Sequence, residues 1–342
     1  MANDLSIPKK YKGKSMWSFS KLDGFHGCKQ AYYLQRVEKI RGRQNIWGLL
    51  GTTVHDCLEG LIKEEITIAE AVEILIKKLD DGRLAGITFP TESMEDNYKK
   101  SVIHYFNNFK LPDIDDYKIE LKQFLELEDN NVIIGFIDFI LKHNDGTIEI
   151  RDFKTSSAFT KSDLKSKARQ LLVYNEMLTS NFKKINNVKV SFDMIKYCKV
   201  IHKGNKRSKT CERHKMVLLL ESKVRKDLME IYKDELIVDE LVIHAISKNK
   251  IPEEIIDNYE ILPHIVYYDF TDEDLKELYD WIYSTIKEVK EETLWESKIS
   301  SEESKAEFWC KNLCGVNEYC NDYLSYCENS KEKNIPVDDD LF

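Results

Sequence analysis

Glycine and proline are scarce in this chain, 13 and 6 of 342 residues. With a hydrophobic share of 42%, that scarcity excludes a low-complexity or linker-rich protein and implies a sizeable folded core. No internal repeat is present, which excludes a solenoid or propeller. No apolar run approaches the roughly 20 residues that cross a bilayer, so no membrane partner is expected. The first residues, Met-Ala-Asn-Asp-Leu-Ser, lack the apolar segment of a signal peptide, and the expected compartment is cytoplasmic. Positive charge is also in deficit, 51 Lys and Arg against 60 Asp and Glu, a net charge of −9. Such a chain does not coat nucleic acid with its whole surface, although local basic grooves remain open to it.

Cysteine is not scarce. There are eight, and in a cytoplasmic protein disulfides are not expected. Cys310, Cys314, Cys320 and Cys327 crowd the C-terminal end, which calls first for a metal or cluster. Basic residues gather at Lys203, Lys206, Arg207 and Lys209, and again at Lys165 and Lys167. The first group reads equally as a DNA-binding loop and as a solvated one.

Periodicity orders the chain. Ser18 is a helix N-cap, and residues 29–37 read as a second helix. Residues 49–63 place Leu50, Val54, Leu58 and Leu61 on one apolar face. Helices are also expected over 69–79 and 94–109. From Tyr117 the period becomes that of strands, over 118–128, 132–142 and 147–154, with turns at Asp129-Asn130-Asn131 and Asn144-Asp145-Gly146. A helix over 165–178 follows, then strands over 188–200 and 216–220 joined by the basic loop, then mostly helix over 222–248. Thr271 to Asp274 has capping-box form and opens another helix. This order predicts an α/β protein with a mixed sheet flanked by helices. Residues 1–115 form a helical region, 116–222 the core, 223–328 a second helical region, and 329–342 an acidic tail expected to be disordered.

Asp152 and Lys154 lie two apart on a strand and point the same way as Ile148 and Ile150. A carboxylate and an ammonium together suit phosphodiester hydrolysis: the acid holds a divalent cation, and the lysine positions water or offsets transition-state charge. Asp138 interrupts the apolar run Ile133-Ile-Gly-Phe-Ile-Asp-Phe-Ile-Leu141. Burial there is costly unless the acid is paired or metal-bound, and Gly135 permits close backbone approach. Alone, His55 after Gly51 reads as a boundary histidine. Gln170 and Tyr174, one turn apart on a helix, read alone as boundary residues.

In order, Gly51…His55, Gly135…Asp138, Asp152-Phe153-Lys154 and Gln170-Leu-Leu-Val-Tyr174 resemble the PD-(D/E)XK nuclease superfamily in its RecB-type exonuclease branch. The resemblance implies a restriction-endonuclease-like core and metal-dependent hydrolysis of DNA, on single strands or ends. It implies that Asp138 and Asp152 ligate Mg²⁺ or Mn²⁺, with the Phe153 carbonyl and a His55 nitrogen as further ligands. Lys154 would orient water, and Gln170 and Tyr174 would touch the DNA backbone or support Lys154. Glu120 stands where members often carry a glutamate. A non-catalytic DNA-binding module is the second reading, and retention of Asp138, Asp152 and Lys154 counts against it.

Part of that branch carries one cysteine before the core and three after it, holding a [4Fe–4S] cluster. By that resemblance the ligands here are Cys28, Cys310, Cys314 and Cys320, joining the helical N- and C-terminal parts. Cys-x3-Cys replaces the commoner Cys-x2-Cys, which leaves Cys327 as a rival last ligand. Zn²⁺ is the alternative occupant of four thiolates. Asp338-Asp339-Asp340-Leu341-Phe342 resembles tips that dock into a sliding clamp, or else is a solubilising tail. Lys- and Asn-rich composition suits a phage or mobile-element nuclease, acting in a bacterial host cytoplasm.

Overall fold

A computed structural model describes residues 7–332 apart from 183, 186, 204, 206 and 302–304. The chain opens with strand β1 (Ser15–Trp17) and helices α1 (Phe19–Gly27) and α2 (Lys29–Tyr32). Longer helices α3 (Ile46–Ile62), α4 (Ile68–Leu84) and α5 (Glu92–Asn107) lead to strands β2 (Asp116–Glu126), β3 (Asn131–Lys142) and β4 (Ile148–Lys154). Helix α6 (Lys161–Asn181) crosses to β5 (Val188–His202), which turns back as β6 (Lys209–Glu212). Then come α7 (Met216–Tyr232), α8 (Glu235–Lys248), β7 (Tyr259–Tyr268), α9 (Asp272–Glu291), α10 (Ala306–Asn312) and α11 (Asn321–Glu332).

Caps set several of these boundaries. The Ser18 hydroxyl accepts from Lys21 N at 3.2 Å, and Thr67 and Thr271 complete capping boxes with Glu70 and Asp274.

Among the described residues, seven strands form one mixed sheet. β2, β3 and β4 are antiparallel neighbours. β4 and β5 run parallel because α6 carries the chain over one face. β6 and β7 pair antiparallel with β5, and β1 pairs parallel with the start of β3. Strands β1 and β7 thus reach the sheet from outside residues 116–222. One face packs on α6 and α9 through Ile137, Ile150, Phe192, Leu171 and Ile282. The other packs on α3, α4 and α5 through Phe139, Phe153, Leu50, Leu75 and Phe106. The architecture is mixed α/β.

One sequence expectation is corrected, and one strand was not anticipated. Residues 216–220 open α7 and are not a strand. A short apolar run is ambiguous in period, and Met216, Val217, Leu220, Val224 and Leu228 are buried at helical spacing. β7 was not foreseen, because Pro263 interrupts its pattern.

The ends of the chain meet. Arg43 N donates to Gly315 O at 2.7 Å and Asn45 Nδ2 to Leu313 O at 2.9 Å. A Cβ at Gly315 would lie 2.5 Å from Arg43 O, so only glycine fits there. No helix among the described residues is long and apolar enough to cross a membrane. Lys206 and the expected clamp-docking tail, residues 338–342, lie outside the described residues.

Candidate metal centre and active site

Three strands deliver three acids at one level. β2 pairs Ile119 with Phe139 and Leu121 with Ile137, so Glu120 stands opposite Asp138. β3 pairs Phe139 with Arg151, so Asp152 comes next opposite Asp138, where the two strands part. On that edge of β3, β1 covers residues 131–133 and β4 covers 139–142. Asp138 sits in the gap between them.

Glu120 adopts a left-handed φ of 49° inside its strand, which costs a non-glycine residue about 1–3 kcal/mol. The inside–outside alternation resets there. Tyr117 and Ile119 pack toward α3–α5, whereas Leu121 and Leu125 pack toward α6. β3 resets at the same level, with Ile137 on the α6 face and Phe139 on the other. His55, from α3, then brings one ligand atom within 4.8 Å of those of Glu120 and Asp138. Asp152 is outside that tight trio.

The Phe153 backbone ties the parts together. Its N–H donates to Asp138 Oδ2 at 3.2 Å, and its carbonyl accepts from His55 Nε2 at 2.9 Å. A carbonyl only accepts, so Nε2 carries the proton. The other nitrogen, Nδ1, presents its lone pair 3.4 Å from Asp138 Oδ2.

Asp152 is 1% exposed. Lys154 Nζ pairs with Asp152 Oδ2 at 2.6 Å, and the other buried oxygen, Oδ1, has no hydrogen-bond partner. The ammonium answers one oxygen of this buried carboxylate and leaves Oδ1 free to take a metal ion. Lys154 donates to Gln170 Oε1 at 3.0 Å, and Gln170 Nε2 donates to Tyr174 Oη at 2.9 Å. A Cβ at Gly135 would meet Tyr174 Cε1 at 3.0 Å and Met177 Cε at 3.1 Å. Glycine therefore lets α6 seat Tyr174 against β3. Gln170 and Tyr174 thus form a hydrogen-bonded chain behind Lys154.

Electrostatics point the same way. Burial, then the charge of Asp152, hold the Asp138 carboxyl well above the usual range. Burial, then Glu59 and Asp56, raise Glu120. Burial lowers His55 against the pull of Asp152. Burial works against the Lys154 ammonium, but Asp152 and then Asp138 outweigh it and hold its pKa above the ordinary value. Oxygen-rich donors with one imidazole nitrogen, crowded and short of positive charge, fit a hard divalent cation. The sequence placed Glu120 less firmly than the other ligands. An isolated acid in a strand has no periodic signal, and its backbone reset is invisible in residue types.

The structure does not bring the basic loop to this site. β5 runs from Met194, beside Lys154, through His202 to Lys203, roughly 25–30 Å at strand rise. Lys209 donates to Leu219 O, and Lys203 and Arg207 are exposed.

Cys28, Cys310, Cys314 and Cys320 line one small cavity between the two ends of the chain. Cys327 stands outside it, beside Tyr323. Backbone N–H groups point at the sulfurs: Ala31 N and Lys298 N reach Cys28 Sγ at 3.4 and 3.3 Å. Burial, then the neighbouring sulfurs, push the Cys310 thiol up to about 12, and burial pushes Cys314 up to about 11. Among the described residues, no three cysteine sulfurs come within 4.8 Å of one another.

The family model described as the PD-(D/E)XK nuclease superfamily matches residues 16–321. The chain belongs to the PD-(D/E)XK nuclease superfamily. The match runs from β1 to the start of α11 and so includes the cysteine-bearing ends as well as the acids. No curated protein matches the chain. Superfamily membership and the His55–Glu120–Asp138 group together support a metal-dependent nuclease.

Proposed function

We propose that this protein is a Mg²⁺- or Mn²⁺-dependent DNA exonuclease of the RecB type, acting on single strands or ends. The observation that carries the hydrolytic reading is Asp152: buried, paired through Oδ2 with Lys154, and with Oδ1 left unpartnered. Asp138, Glu120, Asp152, His55 Nδ1 and the Phe153 carbonyl would hold the cation, which supplies Lewis-acid stabilisation of the phosphate when bound. Lys154, steadied by Gln170, orients the attacking water and meets the charge that develops on phosphorus-bound oxygen. Tyr174 fixes the amide of Gln170. Retention of all these groups disfavours a purely DNA-binding role. An exonuclease degrades end-labelled linear single strands and leaves closed circular single strands intact; circles cut as fast as linear DNA would refute the exonuclease reading.

The four-sulfur cavity supports a [4Fe–4S] cluster over zinc. Tetrahedral Zn²⁺ draws thiolates to about 3.8 Å from one another, whereas a cubane binds each sulfur to a separate iron and wants them wider apart. Bound by Cys28, Cys310, Cys314 and Cys320, it would fasten a loop of more than 280 residues between Cys28 and Cys310 and so stabilise the fold. Recombination, repair, phage DNA metabolism and CRISPR adaptation all fit such an enzyme. A sliding-clamp partner for residues 338–342 is tested by clamp pull-down with and without the last five residues; equal recovery refutes it.

A further inference from the structure

A cleft of about 560 Å³ is lined by Thr155, Ser156 and Ser157, the residues that follow Lys154, and lies within the roughly 300–1,000 Å³ typical of ligand sites. Its edge nearest Lys154 is hydroxylic: Thr155, Ser156 and Ser157. Its interior is aromatic, with Trp47, Phe89, Tyr98, Tyr197 and Phe308. Trp47 meets Phe89 and Phe308 edge-on, at 5.4 and 5.9 Å between centroids. Phe308 is 39% exposed, and Trp47 and Tyr197 are half-buried. The buried Tyr98 hydroxyl faces the Thr155 side chain. Lys196 and His214 stand on the same wall.

The opposite flank of the metal centre differs. There a groove between α3 and β2 is lined by Asp56, Glu59, Glu65 and Glu120 against Lys63 alone. A phosphodiester chain avoids that acidic groove beyond any bound cation. The aromatic cleft, polar at its phosphate-side lip and apolar within, matches the amphiphilic shape of a nucleotide. A base in a duplex is stacked and paired, so its faces are closed to such a cleft; an unpaired base offers both.

The cleft begins at the residues that follow Lys154. Thr155 Oγ1 lies 3.8 Å from where a Cβ on Gly51, beside His55 in the neighbouring groove, would stand. From this shared border we infer that the cleft is a base-stacking subsite for one or two unpaired nucleobases flanking the scissile phosphate of single-stranded DNA. The inference rests on the nuclease reading for the identity of the scissile phosphate, but not for the binding itself. It makes Trp47 and Phe308 substrate-binding residues. It also places the preference for single strands in the protein and not in a helicase partner.

The test is a scan of one abasic site along a single-stranded oligonucleotide, with the full chain and Mn²⁺. Cleavage should fall about ten- to a hundredfold at one or two registers next to the cut, the range that stacking of a base on an aromatic commands, and stay level elsewhere. Phe308→Ala should flatten the scan. In parallel, 2-aminopurine placed at the same register should be quenched on binding in EDTA, and less so with Phe308→Ala of unchanged melting temperature. A flat abasic scan in the wild type, or no quenching at any register, overturns the subsite. Quenching at one register with no cleavage under any divalent metal keeps the subsite and refutes the nuclease reading instead.

Discussion

Lys154 Nζ is held 3.0 Å from Gln170 Oε1, so a side chain of α6 steadies the ammonium that pairs with Asp152. Removing the ammonium removes one preorganised charge from the transition state, and Lys154→Ala should lower kcat about 10²–10³-fold. Gln170→Leu leaves the ammonium but loses its guide, and should cost about 10–100-fold, the scale seen when a supporting hydrogen bond is lost. KM for DNA should change little in either variant. Steady-state kinetics on one oligonucleotide checks both, and a Gln170→Leu loss confined to KM would make Gln170 a DNA contact instead.

Asp138 gives a pH dependence with a definite sign. Its folded pKa lies well above the ordinary 3.8, so the metal-free folded state keeps a proton that the unfolded chain releases. Stability from this group therefore falls as pH rises above the ordinary carboxylate range and toward the raised folded value. His55 runs the opposite way, its lowered value adding stability as pH rises through 6.5, but it is common to both proteins in a comparison. Asp138→Asn should thus melt higher than wild type without metal, by a margin that widens as pH rises above the ordinary carboxylate range. Added Mn²⁺ should erase the margin in wild type alone. A margin constant with pH would show that Asp138 is ionised in the metal-free fold.

Glu120 should trade stability against metal. Glu120→Gly relieves the φ of 49° and should stabilise the metal-free protein by about 1 kcal/mol, while weakening Mn²⁺ binding. Calorimetry reads both. A destabilised variant with unchanged metal affinity would mean that Glu120 is a structural residue.

Of the five cysteines nearest the two ends of the chain, four line one cavity and Cys327 does not. Protein purified without oxygen should be brown, and Cys310→Ser should be colourless and melt lower. Cys327→Ser should stay brown, because Cys327 stands outside the sulfur-lined cavity. Colourless wild type carrying one zinc per chain would replace the cluster with zinc.

Much of the site was legible because strand and helix periods are exact guides over short distances. Asp152 and Lys154 two apart, and Gln170 and Tyr174 four apart, face each other across β4 and α6 as those periods require. The reset at Glu120 and Asp138 was not legible. In β3 both faces are apolar, so residues 133–141 read the same whichever way they point. β7 hid behind Pro263, and the start of α7 looked like a strand because five apolar residues precede its first polar one. The aromatic cleft draws on α3, α5, β5 and α10, and no local pattern links residues so far apart in sequence.

The most direct measurement is cleavage of end-labelled single-stranded DNA with Mg²⁺ or Mn²⁺, by wild type and Asp152→Ala side by side, both shown folded by their melting curves. Wild type should give metal-dependent products that EDTA abolishes, and the variant should give background only. Identical products from the two proteins would contradict a metal site built on Asp152.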